Sequence, residues 1–218
     1  FARVLVNRGL YTWKDMDAYL FPDMEKMYKP GLMKDVTKAA EILMDAIKNN
    51  VKIRVIGDYD VDGVMSSYIL YRGIVMLGGE VSCRIPHRVK DGYGIRDYMV
   101  DEAKEDGIGL IITCDNGISA VSAASRAKEL GITYILTDHH EVPDNDGTEI
   151  IPDADAVVNP KQKACEYPYN MLCGAGVVYK LMSYIFEKKN DKSYINELLP
   201  FAAIATVCDV VPLADENR

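Results

Sequence analysis

From Lys52 onward, short apolar runs rich in β-branched residues alternate with longer stretches of helical periodicity. This alternation predicts an α/β fold, a mostly parallel sheet with helices on both faces. Two further observations support it. Helix stops stand where the periodic stretches end, at Leu77-Gly78-Gly79 and Leu130-Gly131. The 218 residues, 49% of them hydrophobic, can bury roughly 70% of the unfolded surface without help from a disulfide or a structural metal.

The first fifty residues carry helical periodicity only. Trp13 to Leu20 reads as a short amphipathic helix, and Met33 to Ile47 places Val36, Ala39, Ala40, Leu43 and Ile47 on one face. Residues 1–50 are therefore predicted to form a short helical entry to a main domain at 51–218. In that domain the predicted strands are Lys52 to Ile56, Val81 to Ile85, Leu110 to Cys114, Tyr134 to Thr137 and Ala156 to Val158. The predicted helices are Val64 to Met76, Arg96 to Glu105, Ser119 to Leu130, Val177 to Glu187 and Ser193 to Val207. Val142 to Pro152 reads as a polar loop.

Composition narrows the function classes. A net charge of −8 argues against a general polyanion-binding surface, since such affinity comes from lysine and arginine neutralising phosphates. Nucleic acid as a substrate stays open, because bound divalent cations would cancel part of the acidity. The five cysteines, Cys83, Cys114, Cys165, Cys173 and Cys208, form no CxxC pair and mostly sit in apolar runs. They read as reduced thiols of a cytoplasmic protein. No basic-then-apolar leader and no unbroken apolar stretch of about 18 residues is present, which leaves secretion and membrane spanning without support. The start at Phe1 and the polar end Asp-Glu-Asn-Arg suggest a piece of something longer.

The candidate chemistry sits just after the predicted strands. Gly57 to Gly63, GDYDVDG, sets Asp58, Asp60 and Asp62 at alternate positions. Three carboxylates so close repel one another unless a cation lies between them. An acidic surface turn is the plain alternative, but two more ligand-rich clusters also follow apolar runs: Thr113-Cys114-Asp115-Asn116-Gly117 and Leu136-Thr137-Asp138-His139-His140. In an open parallel sheet the residues beyond the carboxyl ends of the strands converge on one crevice. Carboxylates mixed with imidazole point to Mn2+ or Mg2+. A pair of ions needs a bridging carboxylate from a different strand, and Asp115 is the candidate. Asp209, after Ile204 to Cys208, is a further candidate ligand, because a negative charge at a helix C-terminus is unfavourable without a cation.

Adjacent side chains on an extended segment point apart, so His139 and His140 are expected to divide their roles, one a ligand and one facing substrate. A protonated His140 beside a phosphate would stabilise developing charge or protonate a leaving oxygen. His87 and Arg88 precede a glycine-hinged loop, Asp91-Gly92-Tyr93-Gly94, where Arg88 is suited to a bidentate phosphate contact. Gly174-Ala175-Gly176 opens a helix and either caps it tightly or admits an anion.

These residues together resemble the DHH phosphoesterase superfamily, and within it the RecJ branch of single-stranded-DNA-specific exonucleases. Asp138-His139-His140 matches the triplet that names the superfamily. GDYDVDG, TCDNGIS, TDHHEVP and ATVCDVVPL match its four motifs. PHRVKDGYGI, NPKQKACEYPYNMLCGAGVVYKL and the final DENR are similar to that branch in particular.

The resemblance implies two Mn2+ or Mg2+ ions held by Asp60, Asp62, Asp115, His139 and Asp209, with Asp115 bridging and Asp58 supporting. It implies His140 beside the scissile phosphate and Arg88 on a nucleic-acid phosphate; His87, Gly174 and Gly176 are further candidates for substrate binding on their positions in the sequence. Pyrophosphatase-like branches carry a histidine where this chain has Ile56, and that departure disfavours a pyrophosphatase.

The implied activity is hydrolysis of single-stranded DNA from the 5′ end in repair and recombination, with a helicase or a single-strand-binding protein as partner. Residues 51–218 would be the DHH catalytic domain, with a DHHA1 domain and an oligonucleotide-binding domain beyond 218. The alternatives are a DHH phosphodiesterase for short oligoribonucleotides or cyclic dinucleotides, and a non-catalytic strand-binding replication scaffold.

Overall fold

The computed structural model describes residues 1–92 and 94–218. Two short helices, α1 (Ala2–Asn7) and α2 (Trp13–Leu20), lead to α3 (Val36–Lys48). Thr12 caps α2, its Oγ1 accepting from the Asp15 amide at 3.1 Å. Val36, Ala39, Ala40 and Leu43 of α3 lie in the principal hydrophobic core, so the second half of the helical entry is part of that core.

The main body runs β1 (Ile53–Ile56), α4 (Val61–Met76), β2 (Val81–Arg84), α5 (Asp97–Glu105), β3 (Leu110–Thr113), α6 (Val121–Glu129) and β4 (Thr133–Thr137). A two-residue ladder follows, β5 (Asp144–Asn145) with β6 (Thr148–Glu149), then β7 (Ala156–Val158), α7 (Gly174–Lys188) and α8 (Ser193–Cys208). The five-stranded sheet has the order β2-β1-β3-β4-β7, and every pairing in it is parallel. Its helices cover both faces, as the alternation predicts.

The faces can be read from the strands, since alternate side chains point opposite ways. Ile53, Val55, Leu110, Ile112 and Ile135 join the core beneath α3, α4, α7 and α8. Ile56, Ile111, Tyr134 and Leu136 join a second core with Met99, Ala103, Ala123 and Ala127 of α5 and α6. The chain moves outward to β2 and then returns past β1 to β3, so the switch point lies between the carboxyl ends of β1 and β3.

Helix starts differ most from the sequence reading, α3 beginning at Val36 and not Met33. α4 begins at Val61 and not Val64, because the Asp60 carboxylate accepts from the Gly63 amide at 2.8 Å and caps the helix. α7 begins at Gly174 rather than Val177. The polar loop at 142–152 contains a hairpin, with Asp146 and Gly147 both at positive φ (49 and 88), the geometry of a type I′ turn. Among the described residues no helix is long and apolar enough to cross a membrane.

Candidate metal centre

Each of the three clusters follows a strand of the sheet, and all meet at its carboxyl rim. Asp58 and Asp60 leave β1, and Asp62 sits in the first turn of α4. Asp115 leaves β3, Asp138 to His140 leave β4, and Asp209 is the C-cap of α8. Asp58, Asp60 and Asp115 each bring a ligand atom within 4.8 Å of the others, as do Asp62, His139 and Asp209. Asp115 also groups with His139 and His140 in the same way. His139 Nε2 lies 3.1 Å from Asp115 Oδ1, 3.5 Å from Asp62 Oδ2 and 3.8 Å from Asp209 Oδ2. The geometry is that of two adjoining groups with Asp115 between them.

The electrostatics fit a divalent cation. Among the described residues Asp58 Oδ1 and Asp115 Oδ1 are buried with no hydrogen-bond partner, His139 Nε2 being the ring nitrogen beside the latter, and a buried, unpaired carboxylate oxygen is costly. Burial, then the neighbouring Asp62 and Asp60, push the Asp115 carboxyl far above its ordinary value. Burial likewise raises Asp58, with Asp60 adding to it, and raises Asp209, with Asp62 adding to it. Burial lowers His139, against the nearby carboxylates, and so favours the neutral ring that coordination needs. An oxygen-rich set with one imidazole suits Mn2+ or Mg2+ rather than a thiolate-seeking metal.

Backbone amides and close packing hold these ligands. Asp62 accepts from the Gly174 amide at 2.6 Å and the Ala175 amide at 2.8 Å, so its carboxylate occupies the N-terminus of α7. A Cβ on Gly174 would stand 2.7 Å from Asp115 Cβ, which explains glycine there. Of the two readings of Gly174-Ala175-Gly176, the anion within the protein at this helix end is Asp62, and Gly176 lies close to Leu172.

Asp138 was given no role of its own in the sequence reading, yet it organises the third cluster. Its carboxylate accepts from the amides of Ile118 (2.9 Å), His139 (2.7 Å) and His140 (3.1 Å), and pairs with His140 Nδ1 at 2.7 Å. Burial pushes Asp138 up, but the His140 ring and these amides outweigh it and hold the carboxyl low. The same hydrogen bond raises His140 above the ordinary histidine range. The available signal was an aspartate followed by two residues whose amides it reaches in an Asx-type turn.

Arg88 is exposed, and its guanidinium lies 5.2 Å from the ring centroid of Tyr59, between Asp58 and Asp60 in sequence. Its charge lowers Asp58, against the larger effect of burial. His87 serves its own loop: its amide donates to Asp91 at 2.6 Å, and its Nδ1 accepts from Val89 (3.2 Å) and Lys90 (3.3 Å). Nδ1 is thus engaged within the turn, on an exposed residue. Tyr93, in the glycine-hinged loop, lies outside the described residues.

Residues 52–206 match the DHH family, N-terminal domain. The single-stranded-DNA-specific exonuclease RecJ of Bacillus subtilis (strain 168) is 42% identical over 217 residues, an alignment covering 100% of this chain and 26% of that protein. A crystal structure of exonuclease RecJ bound to manganese aligns with a TM-score of 0.76 at 34% identity, over 85% of this chain and 46% of that one. RecJ in complex with Mn2+ from Thermus thermophilus aligns with a TM-score of 0.77 at 29% identity, over 98% and 29% of the two chains. The chain thus spans 26% and 38% of the length of the B. subtilis and Salmonella typhimurium relatives. With the match running from β1 to the last turns of α8, and with Asp138-His139-His140 at the end of β4, the chain belongs to the DHH family.

Proposed function

We propose that this chain is the catalytic part of a metal-dependent exonuclease that hydrolyses phosphodiester bonds of single-stranded DNA from the 5′ end, in repair and recombination. The observation that carries the reading is the pair of adjoining ligand groups, Asp58/Asp60/Asp115 and Asp62/His139/Asp209, sharing a rim where, among the described residues, two buried carboxylate oxygens have no hydrogen-bond partner. The names of the relatives, and the manganese in their structures, support the substrate and the metal.

In this reading Asp60, Asp62, Asp115, His139 and Asp209 hold two Mn2+ or Mg2+ ions, with Asp115 between them and Asp58 completing the first group. Bound there, the ions supply Lewis acidity and neutralise charge at a phosphodiester. The chain's own residues do the rest. Asp138 holds His140 as an imidazolium that gives its proton to the leaving oxygen or balances charge on the phosphate. Arg88 grips a neighbouring phosphate from its exposed loop. The relatives' further length would supply the DHHA1 and oligonucleotide-binding domains. A cytoplasmic setting and delivery of substrate by a helicase or a single-strand-binding protein complete the proposal.

The test is release of nucleotides from a 5′-labelled single strand in Mn2+, comparing the chain with Asp115→Ala. A loss of on the order of 1,000-fold or more is expected from removing a bridging ligand. Equal rates would end the proposal. Cleavage of dinucleotides but not of long strands would favour the small-substrate phosphodiesterase.

A further inference from the structure

Asp209 alone among the candidate ligands does not follow a strand. It caps the C-terminus of α8, its amide donating to Ala205 O at 2.8 Å, where the helix dipole disfavours a negative charge. The next residue, Val210, has φ 58, a left-handed conformation that β-branched residues rarely adopt. Its side chain is 85% exposed, so burial does not offset the strain. Such a conformation persists only where the surroundings over-determine it.

The surroundings form a buried clamp around the final DENR, a motif the metal reading leaves without a role. Lys180 and Glu216 have side chains 3% and 1% exposed and pair at 2.5 Å. Glu216 also accepts from the Tyr28 amide at 2.6 Å and the Tyr167 hydroxyl at 2.5 Å, while Lys180 donates to Tyr28 O at 3.0 Å. Asn217 Nδ2 donates to Pro212 O at 3.0 Å, to Met171 O at 2.7 Å and to the Tyr169 hydroxyl at 3.2 Å. Tyr169 in turn donates to Pro212 O at 3.1 Å.

The stretch from Val210 to Asn217 is thus fixed at one end by α8. At the other end it is tied to α7 and to the loop that enters α7, the helix whose first amides hold Asp62. A buried ion pair is weak evidence for stability, since apolar replacements are often as good. Its place here suggests a second role.

We infer that Lys180, Glu216 and Asn217 are positioning residues: they lock the strained turn at Val210 and so present Asp209 to Asp62 and His139 as a preformed set of ligands. The inference rests on the metal-centre reading. Among the described residues no hydrogen bond or ion pair joins any of the three to a candidate ligand, so they act through the segments they hold.

The test is calorimetric titration of Mn2+ into the chain and its variants, together with their metal-free melting temperatures. Asn217→Ala is expected to weaken one of two Mn2+ affinities about tenfold, the size seen when a ligand's support is removed. Tyr169→Phe, which deletes one hydroxyl of the clamp and keeps the ring, should repeat the loss at about threefold. Adding Val210→Gly, a residue at ease at positive φ, to Asn217→Ala should restore most of the affinity, because the turn then holds without the clamp.

Unchanged Mn2+ binding in both Asn217→Ala and Tyr169→Phe, or a loss that Val210→Gly fails to restore, overturns the inference and leaves the clamp a staple of the fold. A parent chain that binds no Mn2+ removes the metal-centre reading itself.

Discussion

At the scale of single residues, Asp138 does the least visible work at the site. It belongs to no candidate metal group, yet it meets His140 Nδ1 at 2.7 Å and raises that ring's pKa from its ordinary value. Asp138→Asn keeps the size and removes the charge, so the His140 pKa should fall. The alkaline limb of the kcat/KM profile should then move to lower pH, and kcat should drop by about 100-fold, in the range of general acid catalysis. Mn2+ affinity should stay within a few-fold, which separates this variant from a ligand loss. An unmoved pH profile would count against the role of His140. The convergence of the candidate ligands was legible, because carboxylates and histidines directly after strands have one crevice in which to meet. The role of Asp138 was not, since nothing in the string Asp-His-His says which carboxylate oxygen meets which amide. The two readings of Gly174-Ala175-Gly176 stayed open for a related reason. The anion that decides between them, Asp62, lies 112 residues away in the chain.

At the scale of elements, the strands were legible to within a residue or two, while the N-terminal ends of α3, α4 and α7 were not. Asp60 and Asp62 read as members of an acidic turn, but one caps α4 and the other lies within its first turn. Acid at a helix start is favourable on its own account, so a metal cluster and a helix start share one sequence signature here. α7 started early for a matching reason, its first amides being satisfied by Asp62 and not by a local cap. This close approach makes a sharp prediction. In Gly174→Ala the new methyl meets Asp115 Cβ at 2.7 Å and Oδ1 at 2.8 Å, so helix and ligand must separate. A loss of about 1–3 kcal/mol in stability is expected from the overpacking, together with weaker Mn2+ binding. Thermal melts and Mn2+ titration check both, and a variant that matches the parent in each would show that the contact yields without cost.

At the scale of the whole molecule, the acidic rim sets how stability depends on pH. Asp58, Asp115 and Asp209 all have carboxyls raised in the fold, chiefly by burial. A carboxyl raised above its unfolded value of about 4 keeps its proton in the native state while the unfolded chain has lost it. Its contribution is therefore present below about pH 4 and is lost as pH rises. Asp138, held low, works the other way, giving stability above about pH 4 that is lost on acidification. His140, raised, adds to the first trend and His139, lowered, to the second, so four groups against two make the metal-free rim a growing burden between about pH 4 and neutrality. Divalent cations bind the ionised form, so they should reverse the trend. At 100 times the dissociation constant, Mn2+ contributes about 2.7 kcal/mol, a shift of roughly 5–10 °C for a chain of this size. Melting curves at pH 5.5 and 8.0, each with chelator and with Mn2+, measure it. The gain from Mn2+ should be several-fold larger at pH 8.0, while the chelated protein should melt lower there. A gain that is equal at the two pH values would mean that neither the raised carboxyls nor His139 bind the cation, because each of these groups loses a proton, and so favours the cation, as pH rises.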